Sequence, residues 1–204
     1  MDHNYQREME AVIASLGENR PRLLLHSCCA PCSSACLERL TPHFAVTVYF
    51  YNPNILPEAE FEKRLCWQRE LLRLAPFAAD VELIVPDRDE GAFWSAVRGL
   101  EKEPENGARC TECFRLRLSR TADAAEELHF DYFTTTLTVS PHKDAERINA
   151  LGFALAEGRV VRWLPTDFKK KDGYRRSVEL SREYGLYRQD WCGCGLGGSR
   201  GSEA

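Results

Sequence analysis

Seven cysteines gathered into three short motifs constrain this chain more than any other feature. They are Cys28, Cys29 and Cys32 in CCAPC, Cys110 and Cys113 in CTEC, and Cys192 and Cys194 in CGC. The N-terminus, MDHNYQREMEAVIASLGENR, shows no basic leader followed by an apolar core. The expected location is therefore a reducing cytoplasm, where structural disulfides are rare. Clustered thiols in that setting signal metal or redox chemistry rather than cross-links. Cys36 and Cys66 stand apart in helical patterns and read as core or surface residues.

Each motif has its own physical logic. CCAPC falls between a strand pattern and a helix pattern, with Pro31 suited to a helix start. A helix N-terminus presents oriented amides and the positive end of the dipole, which favour thiolate, the form that ligates metals. CTEC has the two-residue spacing that lets two sulfurs meet one ion, as in zinc and iron–sulfur sites. CGC needs an irregular backbone, and Gly195, Gly197 and Gly198 keep the following segment permissive. Seven thiols exceed the four ligands of one structural zinc. A four-iron cluster also takes four, leaving three for a second iron, a redox pair or an open site.

The rest of the chain reads as one globular unit. Hydrophobic residues make up 44% and charged residues 28%, an ordinary balance that argues against disorder. No apolar run approaches the roughly 20 residues of a membrane span, so no membrane association is expected. Strand patterns at 22–27, 45–51, 81–85, 132–136 and 160–163 alternate with helix patterns at 33–40, 58–74, 90–100, 110–128, from Pro141 to 157, and 177–184. That alternation predicts an α/β three-layer domain with a parallel sheet. Residues 1–20 form an N-terminal helical extension, 21–194 a single catalytic domain, and 195–204 a flexible tail. Ligands of such sheets sit beyond the carboxyl ends of the strands, which puts CCAPC, the NPN turn and the Thr134–Ser140 loop on one rim.

The segments LLLHSCCAPCS, FYNPNI, GLEKEPENGARCTECFRLRLSRTA, FDYFTTTLTVSPHKD and DFKKKDGYRRSVELSREYGLYRQDWCGC resemble the epoxyqueuosine reductase QueH family from about Leu23 to Cys194. The resemblance implies a fold like the adenine-nucleotide-binding, Rossmann-like HUP group. It implies reduction of epoxyqueuosine to queuosine at the wobble position of tRNAs with GUN anticodons, those for aspartate, asparagine, histidine and tyrosine. This is the last step of queuosine synthesis. It also implies a 4Fe-4S cluster with an additional iron beside it, and an external electron donor. By motif match Cys28, Cys29, Cys32, Cys110, Cys113, Cys192 and Cys194 are the ligand set, and some relatives carry aspartate where this chain has Cys32.

Polar residues around the motifs are candidates for supporting roles. His26 is either a proton donor beside the site or a histidine satisfied by backbone. Asn52 and Asn54 are either substrate-orienting amides or turn formers. Thr135, Ser140 and Lys143 are candidate substrate contacts, with Ser140, His142 and Lys143 expected to open a helix where an anion binds. The net charge is −4, but residues 168–188 carry seven basic residues against three acidic ones. Lys170, Tyr174, Arg175, Arg176 and Arg188 are therefore expected to touch tRNA. Arg109, Arg115, Arg117 and Arg120 form a second local basic patch.

Two rival readings deserve weight. An ATP-dependent tRNA-thiolating enzyme needs a glycine-rich phosphate loop after the first strand, and this chain has SCCAPC there. A zinc-stabilised RNA-binding module needs fewer thiols than are present.

Overall fold

The structure, a computed structural model, describes residues 3–196. Five short strands build one parallel sheet: β1 (Arg22–His26), β2 (Ala45–Tyr49), β3 (Glu82–Ile84), β4 (Tyr132–Thr135) and β5 (Arg162–Trp163). Their order across the sheet is β3-β2-β1-β4-β5. The chain steps outward from β1 to β3, then crosses back to the other side of β1. The crevice beyond the carboxyl ends of β1 and β4 is thus the topological switch point, the usual ligand position in open α/β sheets.

Alternation along β1 explains the three layers. Leu23 and Leu25 pack with Met9, Leu37, Val46, Val48 and Leu71 on one face, whereas Leu24 joins Phe114, Leu118, Phe133, Ile148 and Trp163 on the other. All three leucines are fully buried, contributing about 1.5–3 kcal/mol each. The first face is covered by α1 (Tyr5–Ser15), α2 (Ala30–Leu40), α3 (Glu58–Leu74) and the segment after α7 (Gly173–Glu183). The second is covered by α5 (Ala108–Glu127) and α6 (Ala145–Ala156). A short α4 (Glu90–Ala96) closes against the start of α5 through Phe93, Val97 and Cys113.

Several boundaries differ from the sequence expectation. α2 starts at Ala30 rather than at residue 33, because the extended backbone of Cys29 serves as its cap and Pro31 fits its first turn. Pro141 does not open α6. The chain instead makes a 3-10 turn at Thr136–Val139, and Asp144 caps α6 by accepting from the Arg147 amide at 3.1 Å. α7 begins four residues early, at Gly173. Asp172 before it has a left-handed φ of 60°, and a Cβ on Gly173 would lie 1.8 Å from the Phe168 carbonyl oxygen. The tail expected at 195–204 lies outside the described residues apart from Gly195 and Leu196.

Candidate metal centre

The first thiol motif emerges from the end of β1 at the switch point. Cys28, Cys29 and Cys32 offer sulfurs that all lie within 4.8 Å of one another. Their loop is braced from below by a buried polar knot: the Ser27 and Ser33 hydroxyls donate to Gln68 Oε1 of α3 at 3.0 and 2.8 Å, and the Ser33 amide donates to the Cys29 carbonyl at 3.1 Å. Asn52 holds the same loop by donating from Nδ2 to the Ser27 carbonyl at 2.8 Å.

The second motif sits in the first two turns of α5, with Cys113 about one turn beyond Cys110. The Asn106 amide donates to Cys110 Sγ at 3.2 Å. The loop before α5 is pinned by Arg109, whose Nη1 donates to the Glu101 and Glu103 carbonyls at 2.9 and 2.6 Å. It is pinned again by Arg147, which donates to the Asn106 carbonyl at 2.5 Å.

The third motif returns to the same rim after α7. Gly193 has φ 104°, a conformation L side chains rarely adopt. Arg64 of α3 latches this loop, donating from Nη1 to the Cys192 carbonyl at 3.1 Å and from Nη2 to the Trp191 carbonyl at 3.4 Å. Glu60 holds Arg64 at 2.7 Å one helical turn away. The Leu56 amide, in the turn after Asn54, donates to the Gly193 carbonyl at 2.7 Å.

The three motifs converge. Cys110, Cys113, Cys192 and Cys194 line one pocket with Phe93, Phe114, Arg117 and Lys143. The Lys143 charge acts on Cys192, Cys28 and Cys32, and the Arg117 charge acts on Cys113, Cys192, Cys28 and Cys110. Hydrogen bonds from Cys29 and Cys32 pull the Cys28 thiol well below its usual value, and the two cations add to this. A bond from Cys194, then Lys143 and Arg117, bring Cys192 down to about 5. The partners that keep the protons move the other way: Cys29 rises to about 12 beside the Cys28 thiolate, and burial raises Cys113 to about 11. A buried, cation-walled set of sulfurs in which Cys28 and Cys192 favour the thiolate fits a metal centre better than it fits an isolated packed-cysteine cluster. Cys36 is buried on the core face of α2 and Cys66 is exposed on α3.

Other expected residues fall differently. His26 is fully buried. Its Nε2 donates to the Tyr51 carbonyl at 3.2 Å, and the Thr135 hydroxyl, itself accepting the Leu137 amide, donates to Nδ1 at 2.8 Å. Burial and Arg117 push its pKa down to about 3, so it is neutral with both nitrogens engaged. The Thr135 hydroxyl therefore faces inward. Ser140 accepts the His142 amide at 3.3 Å instead of opening a helix, and the anion position at α6 is filled by its own cap, Asp144. Lys143 turns toward the thiols. Asn52 Oδ1 and Asn54 Oδ1 are buried without a hydrogen-bond partner.

The basic segment lies along the far half of α2. Arg39 Nη2 reaches the Lys170 carbonyl at 3.4 Å, and Arg39 is about 10 Å of helix axis beyond Cys32. Arg176 is tied to Glu38 at 2.6 and 2.8 Å, while Arg175 is exposed and pairs with Asp172 at 3.2 Å. Tyr174 is exposed, with Arg188 over its ring at 5.9 Å. The patch expected at 109–120 is not a surface patch, since Arg109 and Arg117 are both buried. Sequence reading also missed Arg64. Its only advance signal was a Glu60–Arg64 spacing typical of a solvated helix pair.

A parallel α/β domain with convergent thiols at its switch point belongs to the class of proteins that carry a metal or redox centre at the sheet's carboxyl edge. A family model described as Epoxyqueuosine reductase QueH matches residues 23–199. The chain is 44% identical over 196 residues to an epoxyqueuosine reductase QueH of Streptococcus pyogenes serotype M1, covering 94% of this chain and 76% of that protein. It is 41% identical over 197 residues to one from Staphylococcus epidermidis, covering 94% and 83%. With one from Thermotoga maritima it shares 35% over 178 residues, covering 84% and 88%. The chain belongs to the epoxyqueuosine reductase QueH family.

Proposed function

We propose that this chain reduces epoxyqueuosine to queuosine within tRNA. Family membership supports the reaction, and one observation carries the chemistry: the second and third thiol motifs share a cation-walled pocket whose two cations also act on Cys28 of the first motif's sulfur triad. Removing an epoxide oxygen as water and leaving an alkene consumes two electrons and two protons, with the electrons coming from an external reductant. The proposed ligand set is Cys28, Cys29, Cys32, Cys110, Cys113, Cys192 and Cys194. A bound 4Fe-4S cluster would supply single electrons, and an additional iron beside it would add a Lewis-acidic position.

The chain's own residues do the rest. Phe93 and Phe114 give the pocket apolar walls that exclude water. The Arg64 latch and the Leu56 amide fix the third motif, and the Gln68 knot fixes the first. Burial pulls the Lys143 ammonium down, but the Cys192 and Cys28 thiolates outweigh it, so Nζ keeps its proton. His26 Nε2 keeps its own proton on the Tyr51 carbonyl and takes no part. Asn52 and Asn54, with unpartnered amide oxygens on this rim, are the proposed acceptors for the substrate's hydroxyls. Lys170, Tyr174, Arg175 and Arg188 are the proposed tRNA backbone contacts, and tRNAs with GUN anticodons the proposed substrates.

The test is anaerobic purification, quantification of iron and acid-labile sulfide, and assay on tRNA carrying epoxyqueuosine. Bound iron and sulfide with conversion to queuosine is expected. A colourless protein holding zinc alone, inactive on that tRNA, would overturn the reading.

A further inference from the structure

Arg117 is an unusual residue for the middle of a helix. It is 1% exposed, yet its Nε turns back to its own helix and donates to the Cys113 carbonyl at 3.2 Å. Its Nη2 is buried with no hydrogen-bond partner. Leaving a charged donor desolvated and unpaired costs more than leaving a neutral one. The surrounding groups are Phe114, with the guanidinium 5.5 Å from the ring centre, and the thiols of the second and third motifs. Lys143 reaches the same pocket from the loop after β4. Arg109, the other cation on this wall, is committed to the Glu101 and Glu103 carbonyls.

The two cations come from different elements and meet in the pocket of the second and third motifs, where their charges also act on Cys28 of the first. Such convergence serves no purpose for folding a metal-free pocket, because two like charges are brought together there. It suits a buried ligand that is net negative, as thiolate-held iron–sulfur centres are. A fixed positive charge in a water-poor site stabilises the more negative, reduced state of such a centre.

Resting on the proposed function, we propose that Arg117 and Lys143 act as positioning residues that set the electron affinity of the thiol-held centre, with Arg117 Nη2 held for a sulfur of that centre. Neither residue ligates metal and neither touches the reacting carbon atoms. Together they raise the reduction potential to within reach of the external donor, and they act through the centre rather than on the tRNA.

The experiment is a spectroelectrochemical titration of the anaerobically purified, iron-loaded protein, with iron and sulfide counted in every sample. Arg117→Met and Lys143→Met should each lower the midpoint potential, while Arg117→Lys and Lys143→Arg, which keep the charge, should stay near the parent. Lys143 is half-buried on a loop, so its variants report even where Arg117→Met fails to fold. A parent-like potential in Lys143→Met at full iron and sulfide content overturns the inference while leaving the proposed reaction standing. A parent protein that takes up no iron and sulfide overturns both.

Discussion

Replacing Arg64 by methionine should unlatch the Cys192-Gly193-Cys194 loop while leaving the sheet intact. Arg64 is 2% exposed and gives a charged donor to two carbonyls of the loop, at 3.1 and 3.4 Å. A bond from a charged group contributes about 1.5–3 kcal/mol, and the longer second contact contributes less. The latch is thus worth about 3 kcal/mol, with the Leu56–Gly193 backbone bond surviving as a second, weaker tether. At roughly 1.4 kcal/mol per decade, loss of the latch raises the open population of the loop about a hundredfold. The assay is alkylation of Cys192 and Cys194 in reduced, metal-free protein, followed site by site by mass spectrometry. Cys192 and Cys194 should label about a hundredfold faster in the variant, and Cys36 should not change. Arg64→Lys should fall between, since an ammonium can keep one of the two bonds. An acceleration below about threefold, equivalent to roughly 0.6 kcal/mol, would refute the latch.

Four further outcomes follow from the packing and the charges. Gly152→Ala should lower the melting temperature sharply, since the new Cβ would meet Trp163 Cε2 at 2.2 Å and Asn149 holds that ring in place at 3.0 Å. The cost should exceed the usual ~1–3 kcal/mol of overpacking, and an unchanged melting curve would sink this account. Cys110→Ala and Cys113→Ala should each reduce bound iron, whereas Cys66→Ser and Cys36→Ala should retain it, with Cys36→Ala losing only about 1 kcal/mol of stability. Reversing Lys170 and Arg175 to glutamate should weaken tRNA binding by fluorescence anisotropy without altering the iron spectrum. Arg176→Glu should instead cost on the order of 1 kcal/mol, because the pair it breaks with Glu38 is partly solvated, and Glu38→Arg should restore it.

Elements whose signals are local were legible before any coordinates. The helix at Glu58–Leu74 falls where its apolar period and preceding proline put it, and the first two strands start where their apolar runs start. The place of the first thiol motif beside the NPN turn was also foreseeable, since strand ends of a parallel sheet share one rim. Positions fixed by distant partners were not legible. Asp172 and Gly173 start α7 early because the Phe168 carbonyl leaves no room for a Cβ. Arg64 and Arg117 looked like surface charge, because arginine is usually solvated, and their burial depends on carbonyls and sulfurs far along the chain. The basic run after β5 comes shortly before Cys192 in sequence, but α7 intervenes and carries it to the far half of α2.

The order in which the sulfurs appear along the chain has a consequence for biogenesis. Every strand is complete by Trp163, yet two of the seven thiols arrive only after another helix has been made and docked. A ribosome releasing this polypeptide from its N-terminus exposes a nearly finished scaffold whose metal pocket still lacks one wall. A metal delivered early would meet five of the seven sulfurs and no closing loop. Metal loading is therefore best timed to follow translation, and a metal-free chain in the cell would be a record of unfinished maturation rather than of a failed fold.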